Sequence, residues 1–410
     1  MEMTETAGKI LACGDCCDHC LGRFFGKRGH GLTNDERGRA LRIAHAVAEN
    51  LPFEPFTGLC WVCGNFFDTV AVWAERVVAA LQGIEYATFL IGCRVPPLIS
   101  ESEEMVWSDL SLADPEPFKS EVNREVGKAV AAITGKNVDF KKPDIVALLD
   151  LSRDIVDLQV SPVFFYGRYK KHERGIPQTH WDCRACRGAG CEKCNFTGKQ
   201  YQDSVEELIG RPVIDLFFAQ NAVLHGAGRE DIDARMIGTG RPFILEVVSP
   251  KRRTGDLPSV EAAINQSAQG RVTVELVRWT ERNEVETLKS NKAHKKYRII
   301  VGVEGAPSPD EFAKAAKSLS GVIIRQRTPE RVAHRRADKI RERRVLAIEC
   351  TGEEDGRYTV EVTGEAGLYI KELISGDNGR TQPSLSEALG FSARVTSLDV
   401  VLVEEKNLEE

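Results

Sequence analysis

Gly228-Arg229-Glu230-Asp231-Ile232-Asp233-Ala234-Arg235-Met236, running on to Gly240-Arg241-Pro242-Phe243-Ile244-Leu245-Glu246, gathers three glycines, three arginines and four acids just ahead of an apolar run. A glycine-rich turn that delivers a carboxylate beside arginines into a strand suits a catalytic acid facing an anionic substrate. A salt-bridged surface turn would use the same residue types, so the rest of the chain has to decide between them.

The cysteines carry a second chemistry. Ten of the twelve fall in CxxC pairs, and paired thiolates on tight turns are what a tetrahedral zinc site needs. Residues 13–20 hold two overlapping choices, Cys13 with Cys16 or Cys17 with Cys20, and Cys60-Trp-Val-Cys63 supplies the other half. We favour Cys17, Cys20, Cys60 and Cys63, because Leu21-Gly22-Arg23 continues from Cys20 into the basic, aromatic run Phe24-Phe25-Gly26-Lys27-Arg28; a redox dithiol is the alternative. Cys183, Cys186, Cys191 and Cys194 form a second zinc knuckle. Its CxxCxGxG stretch matches a repeat of zinc-containing co-chaperones, which carry four such repeats, so we read it as a stapled linker.

Length and charge limit the options. At 410 residues the chain exceeds one ordinary core, and two or three domains are expected. Fifty-five Lys and Arg against 61 Asp and Glu leave a net charge of −6, which gives no overall pull on a polyanion. No run approaches the roughly 20 apolar residues of a membrane span, and no signal-peptide pattern opens the chain. A cytoplasmic protein with no membrane partner is expected, and a monomer.

Locally the charge is different. Residues 324–344 carry nine Lys or Arg and three acids, with Arg325, Arg327, Arg331, Arg335 and Arg336 candidates for contacts to a polyanion. Between Phe164 and Gly175, four aromatics interleave with Arg168, Lys170, Lys171 and Arg174 against a single Glu, as on a surface that stacks bases and neutralises phosphates. Solvated faces and buried rings would have the same composition.

The elements that position these residues follow from periodicity. Thr33 or Asn34 caps a helix to about Ala48, and Asp68 to Leu81 is helical. Ala87 to Val95 is a buried strand, and 101–117 is an acidic loop. Phe118, Val122, Val126, Val130 and Ile133 share one helical face, with Gly135 past its end. Strands at 145–149 and 156–160 complete a small α+β domain. Farther on come helices at 205–209, 260–266 and 309–319. Strands are expected at 244–248, 272–279, 298–303, 345–350, 358–362 and 395–403.

With these residues in hand, the chain resembles the archaeal tRNA pseudouridine synthases that act on the TΨC arm. Gly228-Arg-Glu-Asp231, Gln326-Arg-Thr-Pro-Glu-Arg-Val332 with His334-Arg-Arg336, and Leu368-Tyr-Ile-Lys371 carry the resemblance, which spans nearly the whole chain. It implies an α+β protein with an N-terminal zinc module at 1–64, a THUMP RNA-binding domain at 65–180, a zinc-knuckle linker at 181–203 and a catalytic domain at 204–405. That catalytic domain would be a long mixed sheet in two halves with the cleft across its middle. Asp231 matches the catalytic aspartate, with Asp233 as the neighbouring candidate. Tyr297 matches the tyrosine that stacks on the target base, and Tyr369 and Lys371 match the last motif, Lys371 keeping Asp231 charged. Arg229, Arg235 and Arg241 would support the substrate or the cleft. The implied reaction isomerises uridines 54 and 55, needs structural zinc but no organic cofactor, and grips tRNA at its TΨC arm and acceptor end. Another THUMP enzyme such as a methyltransferase, or a non-catalytic zinc tRNA-binding protein, is the alternative.

Overall fold

The computed structural model describes residues 2–113 and 115–404 in two compact units, Met1–Ser161 and Pro162–Glu410. Among the described residues no helix is long and apolar enough to cross a membrane.

The first unit is a sheet of four strands, β1 (Thr88–Arg94), β2 (Asn137–Val138), β3 (Ile145–Asp150) and β4 (Ile155–Val160), ordered β2-β1-β3-β4. β1 runs parallel to β2 and β3, and β3 pairs antiparallel with β4. The helix Phe118–Thr134 buries Phe118, Val122, Val126 and Val130 completely, and Gly135 closes it at φ 66°, the left-handed cap that glycine adopts without strain. Thr33 and Glu36 form the capping box of the helix Asn34–Ala48.

The acidic loop expected at 101–117 is instead largely a helix, Pro97–Asp109. Its apolar period is broken because a carboxylate takes a buried position: Glu103 accepts a 2.6 Å bond from Arg23, itself fully buried. The Arg23 guanidinium also lies 4.8 Å from the Phe24 ring centroid and 5.7 Å from that of Phe118. One apolar core therefore runs from Ala7 through the first cysteine cluster to Leu149, and no seam falls at residue 64.

In that core the sulfurs of Cys17, Cys20, Cys60 and Cys63 lie within 4.8 Å of one another, with Cys17 and Cys63 at 3.7 Å. Metal–sulfur bonds of about 2.3 Å in a tetrahedron give sulfur–sulfur edges of about 3.8 Å, so the group could hold zinc. Cys13 is exposed and its thiol faces Lys9 O; Cys16, though buried, stands outside the cluster.

Ten further strands build the second unit: β5 (Val163–Lys171), β6 (Asn221–Gly226), β7 (Arg235–Val248), β8 (Val272–Thr280), β9 (Lys295–Glu304), β10 (Ile323–Arg327), β11 (Ile340–Glu354), β12 (Arg357–Gly364), β13 (Thr381–Gln382) and β14 (Ser392–Val403). They form one sheet in the order β13-β10-β11-β12-β9-β14-β7-β5-β8, with β6 also on β7. Helices Val205–Phe217 and Leu257–Ala268 cover the β5–β8 half, while Pro309–Ser318, Ile370–Ser375 and Leu385–Leu389 cover the other. The halves join where β14 and β7 pair in parallel, Asp399 opposite Arg235; every other ladder in this sheet is antiparallel.

The basic, aromatic segment assigned to an RNA-binding domain ending at 180 is β5, hydrogen-bonded between β7 and β8. Its rings are buried because a central strand has both faces covered, and the second unit begins before it. The Cys183–Cys194 knuckle follows inside this unit, its sulfurs within 4.8 Å of one another and three pairs at 4.0, 3.8 and 3.7 Å.

Metal analysis of the purified protein should return two equivalents of zinc, and Cys60→Ser should lose one while its unit's unfolding midpoint falls by roughly 5–10 °C. Full thermal stability in a zinc-free preparation would remove the metal reading of both clusters.

Candidate active site

Between β6 and β7 the chain turns at Gly228, whose φ is +84°. A Cβ there would sit 3.0 Å from Lys295 Nζ and 3.1 Å from Arg241 Nη1, so only glycine lets the turn come so close to two cations. Two residues on, Glu230 points inward. It accepts bonds from Tyr169 OH at 3.0 and 2.9 Å and from Arg241 Nε at 2.8 Å, with Arg241 only 1% exposed. Arg241 Nη1 donates to Ala227 O at 2.6 Å, and Gln178 Nε2 donates to both Tyr169 OH and Gly228 O, at 2.9 and 3.0 Å. Burial, reinforced by the Glu230 charge, pushes the Tyr169 hydroxyl well above its ordinary pKa, so it stays a donor.

Lys171 completes the seat. Its buried ammonium donates to the carbonyls of Ile176 at 2.8 Å, Ile232 at 3.1 Å and Asp231 at 3.3 Å. Burial brings its pKa down to about 8. With the backbone of 227–232 fixed from beneath, the Asp231 carboxylate is left facing a cleft of about 930 Å³.

Ten Lys or Arg and three acids line that cleft, so the polyanion field absent from the whole chain is present here. Arg331 Nη1 donates to Asp231 Oδ1 at 3.0 Å while its Nε is held by buried Glu372 at 2.7 Å. Lys371 Nζ lies 3.5 Å from Asp231 Oδ2 and bonds Asp233 at 2.9 and 2.7 Å. Burial works against the Asp233 carboxylate, but Lys371 outweighs it and holds its pKa below the usual value. Tyr297 lines the same cleft; burial, with the Asp231 charge adding, raises its hydroxyl to about 12, so it meets substrate as a neutral ring. Tyr369 caps the helix Ile370–Ser375, its hydroxyl accepting from Arg336 Nη1 at 2.9 Å, and Lys371 sits in that helix's first turn. Both face the cleft through the helix entry rather than through strand alternation.

The cleft thus brings together Asp231, Asp233, Arg229, Tyr297, Arg331, Arg336, Tyr369 and Lys371. Other expected contacts have different work. Arg241 is the buried partner of Glu230, and Lys171 is closed off beneath the loop. Arg168 spans the carbonyls of Thr239, Gly240 and Val403 at 2.6, 3.0 and 2.9 Å. Arg235 pairs with Asp399 across the junction of the two halves at 2.9 and 2.6 Å. Lys170 is half-buried on β5; Arg325 pairs with Glu342 at 3.6 Å and Arg327 with Asp338 at 2.5 Å, none of them lining the cleft. The side chain of Arg335 lies outside the described residues.

Two cleft residues escaped the sequence reading. Lys295 precedes Tyr297 by two on β9, a spacing that puts both on one face, and its ammonium has no hydrogen bond or ion pair among the described residues. Burial, helped by the charge on Arg241, lowers its pKa to about 8. Trp181 reaches the rim from the base of the second cysteine knuckle, its ring 5.2 Å from the Arg229 guanidinium.

Glu230→Gln should strand Arg241 as an uncompensated buried charge and destabilise the second unit by about 3–5 kcal/mol, measured by urea unfolding. An unchanged unfolding midpoint would mean that this pair does not hold the loop.

The model of the family described as "Pus10, C-terminal" matches residues 164–404, and that described as "Pus10 THUMP domain, archaeal" matches residues 73–150. A tRNA pseudouridine synthase Pus10 of Halorubrum lacusprofundi is 46% identical over 98% of this chain and 97% of its own length. One from Methanothrix thermoacetophila is 42% identical over 98% and 94%, and one from Methanothermobacter marburgensis 45% over 99% and 100%. The protein, an α+β chain with a THUMP domain ahead of a long mixed catalytic sheet, belongs to the Pus10 family of tRNA pseudouridine synthases, enzymes of the isomerase class.

Proposed function

We propose that the protein converts uridines 54 and 55 in the TΨC loop of tRNA to pseudouridine, with Asp231 as the catalytic carboxylate. The observation that carries this reading is the placement of Asp231 at 3.0 Å from Arg331 and 3.5 Å from Lys371 in a cation-rimmed cleft that also holds Tyr297. In the reaction the C1′–N1 bond breaks, the uracil turns and a C5–C1′ bond forms. The C5 proton leaves and N1 ends with one, so atoms and electrons balance without an oxidant or an organic cofactor. An ionised carboxylate beside the sugar is what such a step asks of the protein, and Arg331 and Lys371 stand 3.0 and 3.5 Å from the two Asp231 oxygens.

A base inside a loop must leave its stack to reach Asp231, and a neutral Tyr297 ring offers it a new stacking surface. Tyr369, fixed by Arg336, lines the cleft beside it. Arg229, Arg336 and Lys295 suit the phosphates on either side of the flipped nucleotide, which position the RNA without reading its sequence. The THUMP unit would take the acceptor end. Both cysteine clusters would hold structural zinc: four soft sulfur donors close the coordination shell and leave no position for a reacting water.

On an unmodified tRNA transcript, Asp231→Ala should form no pseudouridine at 54 or 55 while binding the RNA as wild type does; normal product would sink the assignment. Lys295 gives a pH signature. Below pH about 8 it is charged and holds phosphate, and above it the proton is lost, so kcat/KM should fall. Lys295→Arg should make the alkaline fall shallower than in wild type, arginine staying charged throughout while buried Lys171 still titrates near 8. Lys295→Met should lower it about tenfold at pH 7, the scale of one lost charge-assisted bond. The same alkaline fall in Lys295→Arg would exclude this role.

A further inference from the structure

The Cys183–Cys194 knuckle is more than a staple. Its base is closed by Cys183 N to Gly198 O at 2.7 Å and Gln200 N to Trp181 O at 2.9 Å, and Trp181, in that same bridged base, lines the cleft. Four sulfurs within 4.8 Å of one another pin the knuckle into a small cap. From it Phe196 projects 74% exposed, with φ at +60°. An exposed phenylalanine gains little from burial, and a left-handed backbone is costly for a bulky side chain where Asn or Gly would sit readily. Stability therefore argues against Phe at this position.

The knuckle's charge is mostly positive. Arg184, Arg187 and Lys193 are exposed, and none has a hydrogen-bonded or ionic side-chain partner among the described residues. Glu192 is the single acid between Cys183 and Cys194. Asp182, just outside, is engaged by His180 at 3.0 Å.

We propose that this knuckle is a second RNA-binding surface of the catalytic unit, in which Phe196 stacks on an unpaired base of the substrate while Arg184, Arg187 and Lys193 hold the adjoining phosphates. The proposal rests on the reading that the substrate is RNA. An aromatic that any base can stack on, set among free cations, binds single-stranded RNA without sequence preference. Trp181, bonded at the base of the cap, also lines the cleft, so RNA that fills the cleft has the cap next to it at that boundary.

The test uses the full-length protein, an unmodified tRNA transcript and equilibrium binding at several salt concentrations, with zinc content and thermal unfolding measured on each preparation. Phe196→Asn should weaken binding roughly tenfold and leave zinc content intact, with a midpoint equal to or above wild type. Replacing Arg184, Arg187 and Lys193 together by Ser should reduce the slope of log K against log salt by about 2. Wild-type affinity in both variants, or weakened binding only where zinc or stability is also lost, would overturn the proposal, and the cap would then be free for a protein partner. Pseudouridine formation by the wild type is followed in parallel. Its failure would refute the uridine reading, while the binding comparison would still decide the knuckle.

Discussion

Glu230 and Asp231 are adjacent, yet one is buried against Arg241 and the other faces a cation-lined cleft of about 930 Å³. That opposition is what the rest of the second unit is arranged to maintain. A buried carboxylate is tolerable only with its charge matched and its lone pairs filled, which Arg241 and Tyr169 accomplish. Because Arg241 and Tyr169 stand opposite each other on paired strands, the loop's position is referred to the sheet itself. Lys171, on the same strand as Tyr169, adds a second fixed point two residues along. Asp231, though on a loop, is thereby held with the rigidity of a strand.

The cleft draws on both halves of the sheet. Asp231 and Arg229 come from the β6–β7 turn, while Lys295, Tyr297, Arg331 and Lys371 come from the half beyond β14. Arg235 and Arg174 both reach Asp399 at the parallel junction, so charge pairing reinforces the β14–β7 ladder that joins the halves. Acid and base pairing here governs geometry first and field second.

The sequence was most informative where spacing alone decides. CxxC pairs led to both sulfur clusters, and a four-residue apolar period led to the helix Phe118–Thr134. The motif residues Asp231, Tyr297, Tyr369 and Lys371 do converge, though matching motifs rather than periodicity brought them forward. What stayed hidden was direction. Composition cannot say whether an arginine faces RNA or a carbonyl, so Lys171, Arg168 and Arg241 resembled substrate contacts while serving as internal ties. Glu103 disguised a helix in the same way, since a charged residue at a core position erases the apolar period. Lys295 was legible in principle, two residues before Tyr297 on one strand face, but only the cleft shows that its charge is unspent.

The order of elements along the chain has a further consequence. β5 is hydrogen-bonded on both sides within the catalytic sheet, yet the cysteine knuckle is threaded between it and β6. The knuckle is therefore an inserted module whose two ends meet at a short bridge from Asp182 to Lys199. Such a hairpin-like insertion can change in length, metal or surface without shifting any strand's register. The knuckle can thus vary independently of the loop that carries Asp231, much as an interchangeable fitting on a fixed tool.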